Sequence, residues 1–237
     1  MIALALGLVL AAAPASNAKP RYVVASTTAE SSALLAGDAA AWKSAPRIQW
    51  GPAPVTTAFA ALWSKDALYL RFDARDPSPW HTMTKRDEHL WEEEAVEAFL
   101  DLDRSGRNYA EIEISPGNVV CDVRMVTPYP NKKYDLTWNM AGLETRVVPL
   151  QDQAGTVAGW TALARLPWEG FRTLGSAARI ALPPRPGDKW RFNVFRVERP
   201  GGKDHPDVGA VEVAWSDPRS PSFHVPASFR DLVFQAP

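Results

Sequence analysis

Hydrophobic and polar residues alternate with a period of two in short segments along most of this chain, and this alternation limits its fold more than any other feature. In ALYLRFDA, Leu68, Leu70 and Phe72 point to one side while their neighbours point to the other, as side chains do on a β-strand. Turn-forming clusters such as DPSP, SPGN and RPGGKD separate the segments. The alternating segments cover residues 67–74, 95–101, 109–115, 119–126, 159–166, 189–198, 211–215 and 231–235.

This spacing predicts an all-β protein, an antiparallel β-sandwich of the immunoglobulin or jelly-roll kind with about 8–10 strands. A chain of 237 residues, 46% of them hydrophobic, is long enough for one sizeable core. No internal repeat or linker composition divides it, so we expect residues 19–237 to form a single domain. The 26 basic and 27 acidic residues leave a net charge of −1, which argues against nucleic acid or an anionic membrane as the partner.

Residues 1–18 form an apolar run that ends in small residues, which is typical of a secretory signal peptide. Ala15 and Ala18 each end a motif that suits cleavage. No Lys or Arg precedes the apolar run, so an uncleaved anchor or a misassigned start is the alternative. We expect a secreted or periplasmic protein with no membrane attachment after cleavage. Because Cys121 is the only cysteine, it is expected to be a buried strand residue without a disulfide partner.

Six motifs follow one another along the chain: ALYLRFDARDP, LWEEEAVEAFLD, NYAEIEIS, LPW, FNVFRVERP and AWSDPRSPSFHVPASFRDLVF. As an ordered set, from about Trp42 to the C-terminus, they resemble the family 9 carbohydrate-binding module and its wider sandwich relatives. The resemblance implies a β-sandwich, structural calcium and a slot in which two aromatic rings clasp a sugar. In the xylanase-linked members this sugar is the end of a glucan or xylan chain.

The stretch LWEEEAVEAFLD contains the first half of the expected carbohydrate site. By the family motif W-E-x-x-x-V-E, Trp91 corresponds to one clamp ring and Glu97 to the carboxylate that binds hydroxyls. An indole packs on the C–H face of a sugar ring and a carboxylate accepts hydrogen bonds from its hydroxyls. Two alternatives stay open: Trp91 as a half-buried edge residue, and Glu97 as a solvent-facing or Arg-paired strand residue. Residues 92–94, all glutamates, are expected in a solvated loop, with calcium coordination as the alternative.

The second ring is expected in the C-terminal motif. The family places its second clamp aromatic six residues before the position of Phe229, which gives Phe223, where the xylanase-linked modules have Trp. Trp215 is the alternative ring, or a residue of the core or sheet edge. Where sugar-binding members carry an Arg on the strand after the acidic one, this chain has Glu113. We expect Glu113 to pair with Arg124 on the next strand, and the site to take neutral glycans.

A candidate metal site follows the same strand. Asp101, Asp103 and Ser105 offer alternating oxygen ligands and precede Gly106, a pattern that suits calcium. The pattern lacks the twelfth-position Glu of an EF-hand loop, so an ordinary Asp/Gly turn between strands is the alternative.

Two other functional classes remain as alternatives. A glycoside hydrolase needs two carboxylates about 5–10 Å apart, which Glu93, Glu97 and Glu113 could supply. Sandwich relatives of this fold hold a haem, for which Met83 with His81, or Met125, could provide ligands. The hypothesis we favour is a non-catalytic module that binds a neutral poly- or oligosaccharide, alone or beside a separate glycoside hydrolase.

Overall fold

The computed structural model describes residues 20–175 and 180–236, so the predicted signal peptide lies outside the described residues. One short helix, α1 (Ser31–Leu35), accompanies the strands, and no helix in the described ranges is long and apolar enough to cross a membrane. The strands are β1 (Arg21–Ser26), β2 (Arg47–Trp50), β3 (Thr57–Trp63), β4 (Ala67–Arg75), β5 (Ala95–Asp101), β6 (Tyr109–Ile114), β7 (Val120–Thr127), β8 (Lys133–Asp135), β9 (Glu144–Gln151), β10 (Val157–Pro167), β11 (Lys189–Glu198), β12 (Val211–Ala214) and β13 (Arg230–Phe234).

The strands form a curled mixed sheet in the order β8-β7-β6-β5-β11-β13-β1-β3-β4-β10-β9, with β12 added on β11 and β2 on β3. The all-β prediction is confirmed. The prediction of a purely antiparallel sheet is wrong at β1, because β1 runs parallel to both of its neighbours. Arg21 lies opposite Asp231 of β13, and Ala25 lies opposite Leu62 of β3. The strand thus joins the two halves of the sheet.

Each of the eight alternating segments is a strand. The bounds of β5 and β11 agree with the prediction, and the other six differ by one or two residues at one or both ends, which is the usual uncertainty of strand ends. Strands β1, β2, β3, β8 and β9 were not predicted. Six of the seven residues of β3 are buried, so this strand lacks alternation, and β9 contains Pro149, which an edge strand tolerates.

The main core lies between the inward faces of the two halves. Phe59 of β3 is at its centre, with ring centroids 5.3 Å from Tyr22, 5.0 Å from Phe72 and 5.9 Å from Phe192. These four aromatic residues come from β3, β1, β4 and β11, so a single cluster holds both halves of the curled sheet together.

The outward face of β5 to β7 is also covered. Loops that precede β5 and β13 place apolar side chains over it, and all seven residues of β5 and all six of β6 are buried as a result. Two small apolar clusters form there, one around Phe99 and Phe229 and one around Leu90 and Cys121. Cys121 is buried in β7 as expected. Polar side chains that alternation assigns to this face are therefore enclosed.

Candidate functional site

A pocket of about 430 Å³ opens on this loop-covered face. Trp91, Glu97 and Phe223, three of the residues that the sequence selects for sugar binding, all line it. They lie far apart in sequence and come from the turn before β5, from β5 itself and from the loop before β13. The fold therefore brings the expected ring, carboxylate and second ring to one cavity.

Both rings are supported from behind. Trp91 lies in a single 3-10 turn, Leu90–Glu92, and stacks on His89 with ring centroids 4.4 Å apart and an interplanar angle of 19°. Phe223 stacks on Phe195 of β11 at 4.3 Å and 23°. Since one face of each ring is occupied, the remaining face or edge borders the pocket. Both rings are held in place before a ligand binds, so binding does not have to order them.

Three glutamates meet at the floor of the pocket. The antiparallel register places Glu97 opposite Glu113 and Phe99 opposite Glu111, so the three carboxylates share the outward face. One oxygen from each lies within 4.8 Å of the others. Glu97 and Glu111 line the pocket, whereas Glu113, which has no exposed surface, lies beneath them. The alternative of a solvent-facing Glu97 is wrong, because loops cover this face and leave Glu97 only 2% exposed.

The predicted pair between Glu113 and Arg124 is also wrong. Arg124 lies opposite Ala110, on the other face of the sheet from Glu113, and donates to Asp135 of β8 at 2.6 Å. The prediction of a cross-strand pair assumed a facing position that the register does not give.

Burial controls the charge of the glutamate cluster. It raises the pKa of both Glu97 and Glu113 well above the usual range, and neighbouring carboxylates add to the effect. Burial also raises the pKa of Glu111 to about 7, although Glu113 and Lys132 act in the opposite direction. Burial thus favours the protonated forms of these carboxyl groups, and a protonated carboxyl group can donate as well as accept a hydrogen bond.

Donors that sequence reasoning did not select also line the pocket. Arg199 follows β11 and donates through Nη2 to Glu212 Oε1 at 2.6 Å and to the Trp91 carbonyl at 3.2 Å. Its own carbonyl accepts a hydrogen bond from Trp80 Nε1 at 2.7 Å. Lys132 is the second basic residue of the pocket, and its Nζ lies 5.4 Å from the ring centroid of Tyr134. The only sequence signal for Arg199 is its position in FNVFRVERP, one of the six ordered motifs.

His224 closes one wall of the pocket. Its ring stacks on Phe99 with centroids 4.9 Å apart, and its Nδ1 lies 3.1 Å from the Tyr109 hydroxyl. Burial lowers the pKa of His224 to about 3, so the imidazole is neutral. The Tyr109 hydroxyl is thus the hydrogen-bond partner of the His224 ring.

The other predicted site residues lie elsewhere. Trp215 is outside this pocket and packs on Phe192, with centroids 5.1 Å apart, against the main core. The expectation of a solvated loop at residues 92–94 is wrong for two of its residues. Glu93 is buried and accepts from the Thr82 amide at 2.8 Å, and Glu94 is buried and accepts from the Trp80 amide at 3.1 Å.

Glu94 belongs to a second buried acidic cluster, with Asp76 and Glu198. Arg196 lies among them, donating to Asp76 Oδ2 at 2.9 Å and to Glu198, and its guanidinium lies over the Trp160 ring at 4.8 Å. Burial, together with Asp76 and Glu198, raises the pKa of Glu94 to about 9. One guanidinium and the raised pKa of Glu94 thus offset most of the negative charge of this second cluster.

The predicted calcium loop has the hydrogen bonds of a turn. The Gly106 amide donates to Asp101 Oδ2 at 2.9 Å and the Ser105 amide donates to Asp103 Oδ1 at 3.1 Å. Gly106 has a positive φ of 73°, as the tight connection requires. Burial raises the pKa of Asp101 to about 6. Calcium at Asp101, Asp103 and Ser105 stays a prediction.

The two methionines named as alternative haem ligands lie in different clusters, and the haem alternative stays a prediction. Met83 packs against the cluster around Leu90, whereas Met125 belongs to the cluster around Phe99. His81 places its Nδ1 3.4 Å from the backbone carbonyl of Met83, so its ring is directed at the main chain of that residue.

The amino-acid sequence matches the family described as "Carbohydrate family 9 binding domain-like" over residues 37–182. The chain belongs to this family. A relative named "Extracellular protein" from Arthroderma benhamiae is 27% identical over 190 residues, which is 77% of this chain and 80% of the relative. The family match includes Trp91, Glu97 and Glu113 but ends before Arg199 and Phe223.

Solved structures show the same fold. A family 9 carbohydrate-binding module from Caldicellulosiruptor kristjanssonii, in complex with cellotriose, has a TM-score of 0.58 at 15% identity, with 92% of this chain and 95% of that chain covered. A putative carbohydrate-binding protein from Bacteroides uniformis has a TM-score of 0.65 at 14% identity, with 91% and 99% covered. At these identities the likeness establishes the architecture of a family 9 module, and the ligand of this chain must be inferred from its own pocket.

Proposed function

We propose that this chain is a secreted, non-catalytic carbohydrate-binding module that holds a neutral saccharide between Trp91 and Phe223. The observation that carries the proposal is the pocket itself, in which two supported aromatic rings border a floor of buried carboxyl groups. The C–H faces of a sugar pack on the rings, while its hydroxyls exchange hydrogen bonds with Glu97, Glu111 and the free donors of Arg199.

The charge of the pocket favours neutral over acidic sugars. Glu97, Glu111 and Glu212 line it, and Arg199, one of its two basic residues, already pairs with Glu212. Glu92 and Asp207 also line the pocket, so a uronic acid would bring its carboxylate close to several acidic side chains, which costs free energy. The Caldicellulosiruptor kristjanssonii module has also been solved with glucose, a neutral sugar, and this agrees with the proposal.

The position of the carboxylates supports binding without catalysis. Glycosidases place two carboxyl groups on opposite sides of the scissile bond. Here Glu97, Glu111 and Glu113 are gathered at one floor within 4.8 Å of each other, and Glu93 is used to hold the backbone of the loop before β5. Secretion is supported by the apolar N-terminus and by the relative named "Extracellular protein".

A glycan array that carries neutral and acidic oligosaccharides tests this proposal. Purified protein of residues 19–237 should be retained on neutral gluco- or xylo-oligosaccharides and should pass over uronic-acid chains. Retention confined to acidic glycans, or retention on none of the sugars, would contradict it. Release of reducing ends from a retained neutral glycan would contradict the non-catalytic part alone.

A further inference from the structure

Glu113 is a buried carboxyl group without a donor. It has no exposed surface, and no N–H or hydroxyl of a described residue donates to either of its oxygens. Its side-chain partner is Glu111, another acidic residue. A buried carboxyl group left in this state costs free energy of folding, so the arrangement calls for a ligand that the protein itself does not provide.

The make-up of the cluster suits a calcium-type ion. One oxygen from each of Glu97, Glu111 and Glu113 lies within 4.8 Å of the others, so the three carboxyl groups are close enough to share one ion. Calcium accepts several carboxylate ligands in a flexible geometry, whereas magnesium keeps most of its waters and binds one or two carboxylates. Three gathered carboxyl groups therefore favour calcium over magnesium.

Among residues 20–175 and 180–236, no cationic side chain donates a hydrogen bond to the cluster, although the charge of Lys132 lowers the pKa of all three glutamates. Arg199 faces it but donates to Glu212 and to a backbone carbonyl. Lys132 also faces it, with its Nζ near the Tyr134 ring. His224 Nε2 lies 3.9 Å from Glu111 Oε1, beyond hydrogen-bond distance.

The second acidic cluster shows the contrast. Asp76, Glu94 and Glu198 are also buried, and one oxygen from each again lies within 4.8 Å of the others. There, however, Arg196 supplies the positive charge, since it donates to both Asp76 and Glu198. The pocket cluster is the one of the two that lacks an internal cation.

We propose that Glu97, Glu111 and Glu113 bind a calcium-type divalent cation at the floor of the pocket. Glu97 and Glu111 border the cavity, so the ion can enter from solvent, and Glu113 completes the site from below. Calcium takes six to eight oxygen ligands, so positions toward the cavity remain for water or for sugar hydroxyls. Only this last step, the bridging of sugar to protein by the ion, rests on the proposed function.

Titration calorimetry with calcium chloride alone tests the site. We expect chelator-treated wild type to bind calcium, and Glu113→Gln to bind it at least tenfold more weakly. Asp103→Asn alters the turn after β5 and leaves the three glutamates intact, so it should retain the pocket component. Magnesium chloride should bind at least tenfold more weakly than calcium. Thermal melts check folding, and Glu111→Gln serves as a second variant should Glu113→Gln fail to fold.

Two results would overturn the proposal. One is an unchanged calcium affinity in Glu113→Gln, and the other is a wild-type calcium signal that Asp103→Asn removes entirely. Equal affinity for magnesium would overturn the assignment to a calcium-type ion. Because no saccharide is present, these outcomes are separate from glycan retention: calcium without sugar binding refutes the proposed function, and sugar binding without calcium refutes this inference.

Discussion

Replacement of Trp91 by Ala should weaken sugar binding while the fold persists. Trp91 lies in a short turn before β5, partly buried, with His89 stacked on one face. Its removal takes one stacking surface from the pocket without breaking a strand. Stacking of a flat ring on an aromatic side chain contributes about 1–3 kcal/mol, so the dissociation constant for a retained glycan should rise by about 5- to 150-fold.

Trp215→Ala provides the matched control, since it removes the same side chain outside the pocket. Trp215 packs on Phe192 against the main core but is only partly buried, so its loss should lower stability by about 3 kcal/mol, the lower end of the range for a core Trp, and leave sugar affinity unchanged. Calorimetric titration and urea unfolding of wild type and both variants measure the two effects. Equal affinity of Trp91→Ala and wild type, or a larger loss of affinity in Trp215→Ala, would refute the assignment of Trp91 as a clamp ring.

Three further predictions concern charge and metal. The pKa of Glu94 is about 9 in the folded protein and about 4.5 in the unfolded chain. The contribution of Glu94 to stability is therefore complete below pH 4.5 and is lost as the pH rises towards 9. Glu94→Gln should therefore stabilise the protein by about 1–3 kcal/mol more at pH 8 than at pH 5 in urea unfolding, and an equal effect at both pH values would contradict this. If the loop of Asp101 and Asp103 binds calcium, a chelator should lower the melting temperature of wild type more than that of Asp103→Asn; identical shifts would leave the loop as a turn. In calcium-free buffer, polygalacturonate should give no binding heat with wild type, and micromolar affinity would contradict the acidic character assigned to the pocket.

The sequence predicts strands well where one face is apolar and the other polar. The alternation in 95–101 and 189–198 gives the bounds of β5 and β11 because the inward residues of both strands pack in one core. It does not show what covers the outward face. Alternation alone therefore does not predict that the loops bury Glu97 and Glu113. The parallel pairing of β1 with β3 and β13 depends on contacts distant in sequence, which no local pattern reports.

The candidate site is predictable from sequence in part. Trp91 and Phe223 follow from the ordered motifs, and the structure places both at one pocket. Arg199 and Lys132 are not predicted as site residues because both lie in loops, where no periodicity indicates the direction of a side chain. Glu111 is not predicted for another reason. Its position next to Glu97 follows from the register of β5 with β6, which the sequence of either strand alone does not give.

A crystal structure of the protein with a neutral oligosaccharide retained on the array tests the central claim most directly. We expect one sugar ring between Trp91 and Phe223, with ring atoms about 4 Å from the indole and hydroxyls within hydrogen-bond distance of Glu97 or Arg199. A saccharide bound on any other surface, with the space between Trp91 and Phe223 filled only by water, would contradict the account.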